Sequence, residues 1–396
     1  MGHRRSVIAA LLAGAIASAQ DDPAAVLIHT RDKLLAMTGR LRKYSCTETI
    51  DRSSFSRANP TPVRSCDQIL GERKRQKMLL DRTDRLRFRV AIPHDAEVLS
   101  WTGTPPRRIK IDDLIETGAL ASGSFGTYLP EIFGNLETSF TFRSRNSSLL
   151  EFGFHAPEDT SGNLFRSGDA WRRTGYDGSL WIDGDAEELR RLAIQSAELP
   201  ADTTVCETDA RLDYSHVAIA GEDFLLPKES RIRFIERSGQ ESEIAITFSD
   251  CGETQPAPIA PSSLRGDPLP SGLVIPLALD TPIDTDSIAA GDPISARVMR
   301  QPGTQPVPLP QGAMVRGRVL LVQHDLRKNR FLVGIAFETL EINGVESSFY
   351  AKLKDLEVTL PEKSWPNGVL VFPARGGRKT VPSGMVSKWI TGVPPQ

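Results

Sequence analysis

Residues 85–92 read Arg-Leu-Arg-Phe-Arg-Val-Ala-Ile, in which arginines alternate with apolar side chains before the final pair. A period of two is typical of a β-strand with one face buried and the other in water. The alternation recurs at Phe140 and Phe142, at Leu150, Phe152 and Phe154, at Ile232 and Phe234, and at Ile244, Ile246 and Phe248. The sequence therefore predicts an extended, mostly antiparallel sheet.

A helix is predicted ahead of these strands, over residues 23–42. Apolar side chains such as Leu27 and Leu34 recur there at helical spacing. Two later segments lack the alternation and are expected to interrupt the sheet: 112–133, where we predict a helix, and 185–197, where leucines lie among charges. The N-terminal region is thus predicted to be an α+β domain.

The composition changes at 254–270, where prolines are frequent and no apolar period is found. This pattern indicates a linker. Short β-like runs resume at Leu273, separated by turns such as Asn343-Gly344. We therefore predict two domains in the 396 residues. The first covers 20–253, and the second, over 271–396, is a small all-β barrel or sandwich with a C-terminal tail.

The N-terminus has the features of a secretory signal peptide over residues 1–19. Arg4 and Arg5 precede an apolar run at 7–16, and Ala-Ser-Ala follows at 17–19. The alternative, an anchor helix, is disfavoured because the apolar run is about half of the roughly 20 residues that span a bilayer. We expect a periplasmic or secreted protein with no transmembrane segment in its mature chain.

Four cysteines in an exported chain predict two disulfide bonds, with three possible pairings. We expect Cys46–Cys66 and Cys206–Cys251, because each bond then closes a local stretch of strands. On the chain-entropy model these loops would contribute about 3 and about 4 kcal/mol. A metal site is disfavoured because the sequence has no C-x-x-C motif and no histidine at zinc-ligand spacing.

Charge and composition exclude several classes of protein. The chain has 48 basic and 50 acidic residues, so it lacks the basic excess of nucleic-acid-binding domains, and we expect no nucleic-acid partner. The short basic cluster at 375–379 is predicted to be a solvated turn.

The sequence carries no complete catalytic signature. Residues 122–126 read Ser-Gly-Ser-Phe-Gly and lack the first glycine of a nucleophile elbow. The histidines form no H-E-x-x-H pair, and Asp280, Asp284 and Asp286 lack the spacing of a calcium loop. We therefore expect neither an enzyme nor a bound cofactor or metal, and a hydrolase is the least favoured alternative.

Two short motifs within the predicted strands suggest a family. Residues 178–183 read Gly-Ser-Leu-Trp-Ile-Asp, and 224–227 read Phe-Leu-Leu-Pro, in a strand-rich region that follows an N-terminal helix. Over about residues 24–253 the chain resembles the LolA-like superfamily of periplasmic lipoprotein carriers and lipid-binding proteins. The resemblance implies a curved half-barrel that wraps apolar ligands, with helices closing its open side.

The C-terminal region has a weaker resemblance of its own. Residues 307–312, Val-Pro-Leu-Pro-Gln-Gly, precede Val-Arg-Gly-Arg-Val at 315–319. Over about residues 271–353 this arrangement is similar to the small β-barrel of the TrbI type in conjugation and secretion-channel proteins. The resemblance implies an architecture and carries no catalytic residue across.

Two hypotheses of function follow. In the first, an exported, non-enzymatic envelope protein binds an acyl or lipoprotein-like apolar ligand on the concave sheet face. In the second, the same apolar side chains form a closed core, and the protein is a structural or assembly component that docks on an envelope protein. The candidate apolar face consists of Leu86, Phe88, Val90, Phe140, Phe142, Phe152 and Phe154.

Overall fold

A computed structural model describes residues 22–58, 65–94, 96–103, 120–167, 170–196, 199–254, 269–301, 307–354, 369–373 and 380–392. The expected signal peptide, nearly all of the expected linker and the basic cluster at 375–379 lie outside these ranges. Within them, no helix combines the length and the apolar character needed to cross a membrane.

The described N-terminal region combines three α-helices with twelve strands. The helices are α1 Pro23–Leu41, α2 Cys66–Glu72 and α3 Tyr128–Gly134. The strands are β1 Tyr44–Arg57, β2 Met78–Ala91, β3 Val98–Trp101, β4 Ser139–Asn146, β5 Leu149–Ala156, β6 Leu164–Ser167, β7 Ala170–Arg173, β8 Tyr176–Asp183, β9 Glu188–Ser196, β10 Val205–Ile219, β11 Glu222–Glu236 and β12 Glu241–Glu253.

Ten of these strands form one antiparallel sheet, as the alternation predicts. Its order is β4-β5-β8-β9-β10-β11-β12-β1-β2-β3. The first strand of the chain, β1, therefore lies between β12 and β2. Within the described residues β3 and β4 are the two ends of this order, so the described sheet is open, in agreement with a half-barrel. Strands β6 and β7 form a separate hairpin.

The predicted first helix is confirmed. Helix α1 begins after Asp22, whose Oδ1 accepts a hydrogen bond from the amide of Ala24 at 3.1 Å, and Pro23 occupies the first turn, where it suits a helix start. Its buried side chains, among them Leu34 and Leu41, join one hydrophobic cluster with the inward side chains of the sheet. We call this covered side the inner face.

The segment 185–197 does not interrupt the sheet, contrary to the expectation. Strand β9 runs through it and pairs with β8, with a register shift at which Trp181 faces Arg191 while Ile182 faces Leu189. A bulge of this kind places an extra residue on one strand, so the buried side chains Leu189 and Leu192 are three apart, not two. That spacing breaks the period of two, so the sequence did not predict a strand there. Within 112–133, α3 begins only at Tyr128, and residues 104–119 lie outside the described part.

The described C-terminal region consists of strands of 2 to 13 residues around a second hydrophobic cluster. They are β13 Val274–Leu279, β14 Ile283–Asp284, β15 Pro293–Val298, β16 Met314–Asp325, β17 Arg330–Ile342, β18 Val345–Ser348, β19 Ala351–Leu353, β20 Val369–Pro373, β21 Thr380–Val381 and β22 Val386–Thr391. The pairings run β17-β16-β15-β13-β22-β19, and β18, just ahead of β19, pairs back with β17. The predicted Asn343-Gly344 turn joins β17 to β18 with both residues at positive φ.

The two regions meet along the edge of β2 that is opposite β1. Residues 82–84 of β2 pair with 323–325 of β16. Next to them, Ala290 forms a parallel bridge: its amide donates to the carbonyl of Arg85 at 2.9 Å, and its carbonyl accepts from the amide of Arg87 at 2.7 Å. The C-terminal region thus covers backbone groups that an exposed edge strand would leave unpaired.

The expected cysteine pairing is wrong. Cys46 is bonded to Cys251, and Cys66 to Cys206. Cys46 lies on β1 and Cys251 on its neighbour β12, which brings their Cα atoms to 4.0 Å. A disulfide between cysteines that are neighbours in sequence was the wrong criterion. The order of strands in the sheet places β1, the first strand of the N-terminal region, beside β12, its last strand.

Peptide mapping under non-reducing conditions should join Cys46 to Cys251 and Cys66 to Cys206, with no free thiol. The bonds span 205 and 140 residues. On the chain-entropy model, each should therefore raise the free energy of the unfolded chain by up to about 5 kcal/mol. Replacing Cys66 and Cys206 together by Ala should lower the melting temperature. A map that joins Cys46 to Cys66 would contradict the register of β1 with β12.

The contact between β2 and the C-terminal region should depend on the glycine at position 291. Its φ is +105°, and a Cβ there would lie 2.1 Å from the carbonyl oxygen of Arg87. Gly272, with φ +93° and nothing within 4 Å of an added Cβ, is the matched control. Gly291→Ala should destabilise the protein by about 3 kcal/mol or more, and Gly272→Ala by about 1 kcal/mol, as measured by denaturant unfolding. Equal losses in the two variants would argue against the close approach.

Candidate functional site

Five of the seven residues proposed as the apolar face lie together in the first core. Leu86, Phe88 and Val90 on β2 and Phe152 and Phe154 on β5 are at most 4% exposed. Their contacts in the cluster are with helix α1, helix α3 and the other strands. The structure therefore brings these side chains to one side of the sheet and buries them there.

The other two residues of the proposed face lie on the edge strand β4. Phe140 packs between Phe133 of α3 and Phe154, with ring centroids 5.6 and 6.3 Å away. Phe142 lies opposite Phe152 in the ladder, at 5.5 Å between ring centroids, yet it is 44% exposed. The apolar inner face thus extends beyond the helices at β4.

A loop at 120–127, ahead of α3, packs against the inner face. Phe125 is fully buried, and its ring centroid lies 5.3 Å from that of Phe248 on β12. A Cβ added to Gly126 would lie 3.0 Å from the Leu41 side chain of α1. Gly123, at φ +109°, lets its backbone lie directly against the ring of Tyr128.

Glu97 holds this loop. Its carboxylate accepts hydrogen bonds from the amides of Gly123 at 2.5 Å and Gly126 at 3.2 Å, and from the hydroxyl of Thr127 at 3.5 Å. Burial raises the pKa of Glu97 above its usual value, and the hydrogen bonds from the loop amides oppose that rise. We call residues 120–127 the Glu97 loop.

Glu48 is a second acid on the inner face. It lies on β1 between Phe88 of β2 and Phe248 of β12, and it is 1% exposed. Its Oε2 has no hydrogen-bond partner within the described part of the chain. Burial, and then the charge of Glu97, raise the pKa of Glu48 well above its usual value. The pair therefore keeps a proton at pH values where an exposed glutamate is ionised.

Several buried hydroxyl groups are influenced by the charge of Glu97 or lie in its loop. Burial raises the pKa of Tyr214, and the negative charge of Glu97 adds to that effect. The pKa of Tyr128 is raised by burial and then by the charges of Glu131 and Glu97. Ser124, in the Glu97 loop, is 1% exposed, and its Oγ has no partner among the described residues. The inner face therefore combines apolar packing with an acidic, hydroxyl-rich centre.

Glu131 and Tyr176 form a further polar contact, which joins α3 to β8. The Tyr176 hydroxyl donates to Glu131 Oε1 at 2.8 Å, and the amide of Gly162 donates to the same oxygen at 2.9 Å. Burial raises the pKa of Glu131, and the hydrogen bond from Tyr176 opposes the rise. These bonds fix α3 to β8 and to the turn at Gly162.

No protein-family profile and no curated protein matches the chain. Two solved structures are similar to it. A LolA superfamily protein from Nitrosomonas europaea is 10% identical, with 58% of this chain and 94% of that chain covered, at a TM-score of 0.27. A DUF1329 family protein from Desulfovibrio piger is 12% identical, with 60% and 95% covered, at a TM-score of 0.26.

At TM-scores below 0.5 these two likenesses identify neither a family nor a ligand for this chain. The resemblance of 271–353 to the TrbI-type barrel stays a prediction. Among the described residues, no group of three or more His, Cys, Asp or Glu side chains is arranged to hold a metal ion.

The carboxyl pair is not among the site residues predicted from the sequence. One signal was present, because Glu48 lies between Cys46 and Ile50 in an alternation whose other members point inward. Glu97 follows β2 in an irregular segment and gives no periodic signal. The Ser-Gly-Ser-Phe-Gly stretch, which lacks the first glycine of a nucleophile elbow, forms the part of the loop whose amides donate to Glu97.

The pair should make stability depend on pH. A carboxyl whose folded pKa is raised stabilises the protein below its unfolded pKa, about 4.3, and this contribution is lost as the pH rises through the folded value. Glu48→Gln cannot ionise. It should melt about 2–6 °C above the wild type near pH 8, with the difference vanishing below about pH 4.

The exposed Glu137 provides a matched control for this measurement. Melting curves of Glu137→Gln should parallel the wild type at every pH. If Glu48→Gln also runs parallel to the wild type, Glu48 is not a carboxyl with a raised pKa.

Proposed function

We propose that this is an exported, non-enzymatic cell-envelope protein that binds an apolar ligand, an acyl chain or a lipoprotein-like group, at the β4 end of its concave sheet face. The observation that carries the proposal is the exposure of Phe142. This side chain is 44% exposed although it shares a face and a ring contact with the buried Phe152. An aromatic surface that continues from a core into solvent is suited to an apolar partner.

The ligand would extend the packing that begins at Phe133 and Phe140. Those two rings are stacked, and Phe140 is only partly buried. A chain laid along Phe140 and Phe142 would remove apolar surface from water at about 25 cal/mol per Å². Deeper access would require the Glu97 loop or a helix to move, because the five other face residues are already packed.

The cysteines support the expected compartment. All four are bonded, and the described part of the chain has no free cysteine. Disulfides persist in oxidising compartments such as the periplasm or the cell exterior. A periplasmic or secreted location, with an apolar ligand or an envelope protein as partner, agrees with this chemistry.

A second candidate function is that of a structural or assembly component without a small ligand. Its support is the docking of the C-terminal region on β2. Arg87 bonds to Asp292 at 2.6 Å, and the guanidinium of Arg318 lies 5.5 Å from the centroid of the Trp101 ring. Two regions held together by strand pairing and by such contacts can present one continuous surface to an envelope partner.

A fluorescent fatty-acid probe should distinguish these functions. The wild type should bind the probe, and Phe142→Glu should weaken binding about tenfold or more, because an unpaired charge would lie against the ligand. Val345→Glu is the control, since Val345 is 45% exposed in the C-terminal region. Phe152→Glu should instead unfold the domain, because that side chain is 2% exposed.

Two results would contradict the proposal. A folded wild type that takes up no probe would remove the ligand-binding function and leave the structural one. Equal binding by Phe142→Glu and Val345→Glu would remove β4 as the site.

A further inference from the structure

The Glu97 loop covers part of the inner face without belonging to the sheet. It contacts β12 through Phe125, α1 through Gly126 and α3 through the ring of Tyr128. Its bonds to Glu97 come from backbone amides, among them those of Gly123 and Gly126, and from the Thr127 hydroxyl. Loss of these bonds would leave the loop held by packing alone and would break no ladder of the sheet.

The proton is the only positive charge described that can neutralise one member of the carboxyl pair. Glu48 is influenced by the charge of Glu97, and no cation among the described residues offsets it. Tyr128 from α3 and Tyr214 from β10 contribute phenols, and the Glu97 loop contributes the Ser124 hydroxyl. The buried side chains of α1 are uncharged: Val26, Thr30, Leu34, Met37, Thr38 and Leu41. Two ionised carboxylates here would therefore repel each other in a poorly solvated site.

We propose that a proton held by Glu48 keeps the Glu97 loop closed over the inner face, and that loss of this proton releases the loop. With Glu48 neutral, Glu97 remains the anion that its hydrogen-bond donors select. With both acids ionised, repulsion and the unmet solvation of Glu48 Oε2 favour movement of Glu97 toward water, and the loop bonded to it moves as well. The inference rests on the proposed function, since an open loop would admit an apolar ligand to the buried face.

The direction with pH follows from the raised pKa of Glu48. Closure is complete at low pH and weakens as the pH rises through the folded pKa of the pair. The Glu97 loop is therefore closed at low pH and open at high pH.

Hydrogen exchange measured by mass spectrometry tests this directly. Protection of a peptide covering 120–128, relative to the same peptide in the unfolded chain, should fall about tenfold or more between about pH 5 and about pH 8.5 in the wild type. In Glu48→Gln it should change by less than about twofold, because glutamine keeps the neutral form. Glu137→Gln should follow the wild type. A peptide from β8 and β9 should keep its protection in all three proteins.

Three results would overturn the proposal: constant protection of the loop in the wild type, an equal loss in Glu48→Gln, or a simultaneous loss in β8 and β9, which would indicate global unfolding. The wild-type series alone decides the first and third results, so the test does not depend on the variant folding. Because exchange is measured without ligand, failure of probe binding counts against the proposed function alone.

Discussion

The position of β1 between β12 and β2 is the constraint on which the other features depend. Pairing with β12 brings Cys46 to Cys251. Pairing with β2 places the inward side chains of both strands on one face, so Glu48 lies next to Phe88. The same arrangement leaves β2 with one further edge, which β3 and the C-terminal region share. The placement of one strand, β1, thus determines a disulfide bond, the acidic centre and the contact between the two regions.

Strand β2 illustrates how far the sequence could be interpreted. Its alternation correctly predicted a strand with Leu86, Phe88 and Val90 buried. The same alternation predicted that the arginine face is in water, and there the structure differs: Arg87 bonds to Asp292 and to the carbonyl of Ser287. A period of two reveals which residues share a face, but it contains no information on what a segment 200 residues away will place against that face.

The same distinction explains the other outcomes. Helix α1 and the Asn343-Gly344 turn were predictable because their signals, a cap with proline and a pair of residues suited to positive φ, are local. The cysteine pairing and the Glu48–Glu97 pair were not, because each joins segments that only the strand order brings together. The bulge in β9 shows that even a local period fails where one residue is inserted.

The inner face has to satisfy two opposed requirements. Its buried aromatic and aliphatic side chains favour a closed interior, whereas an unpaired Glu48 oxygen in the same interior opposes closure. The sheet cannot relax to relieve this conflict, because β1 is held on both sides and is also bonded through Cys46 to β12. Relaxation is therefore directed to two places. One is the Glu97 loop, which lies outside the strand ladder and is hydrogen-bonded to Glu97. The other is the edge strand β4, which is paired on one side within the described residues. Phe142 lies on that strand, so the place where the apolar face is exposed coincides with a part of the fold that can move at the smallest cost in pairing.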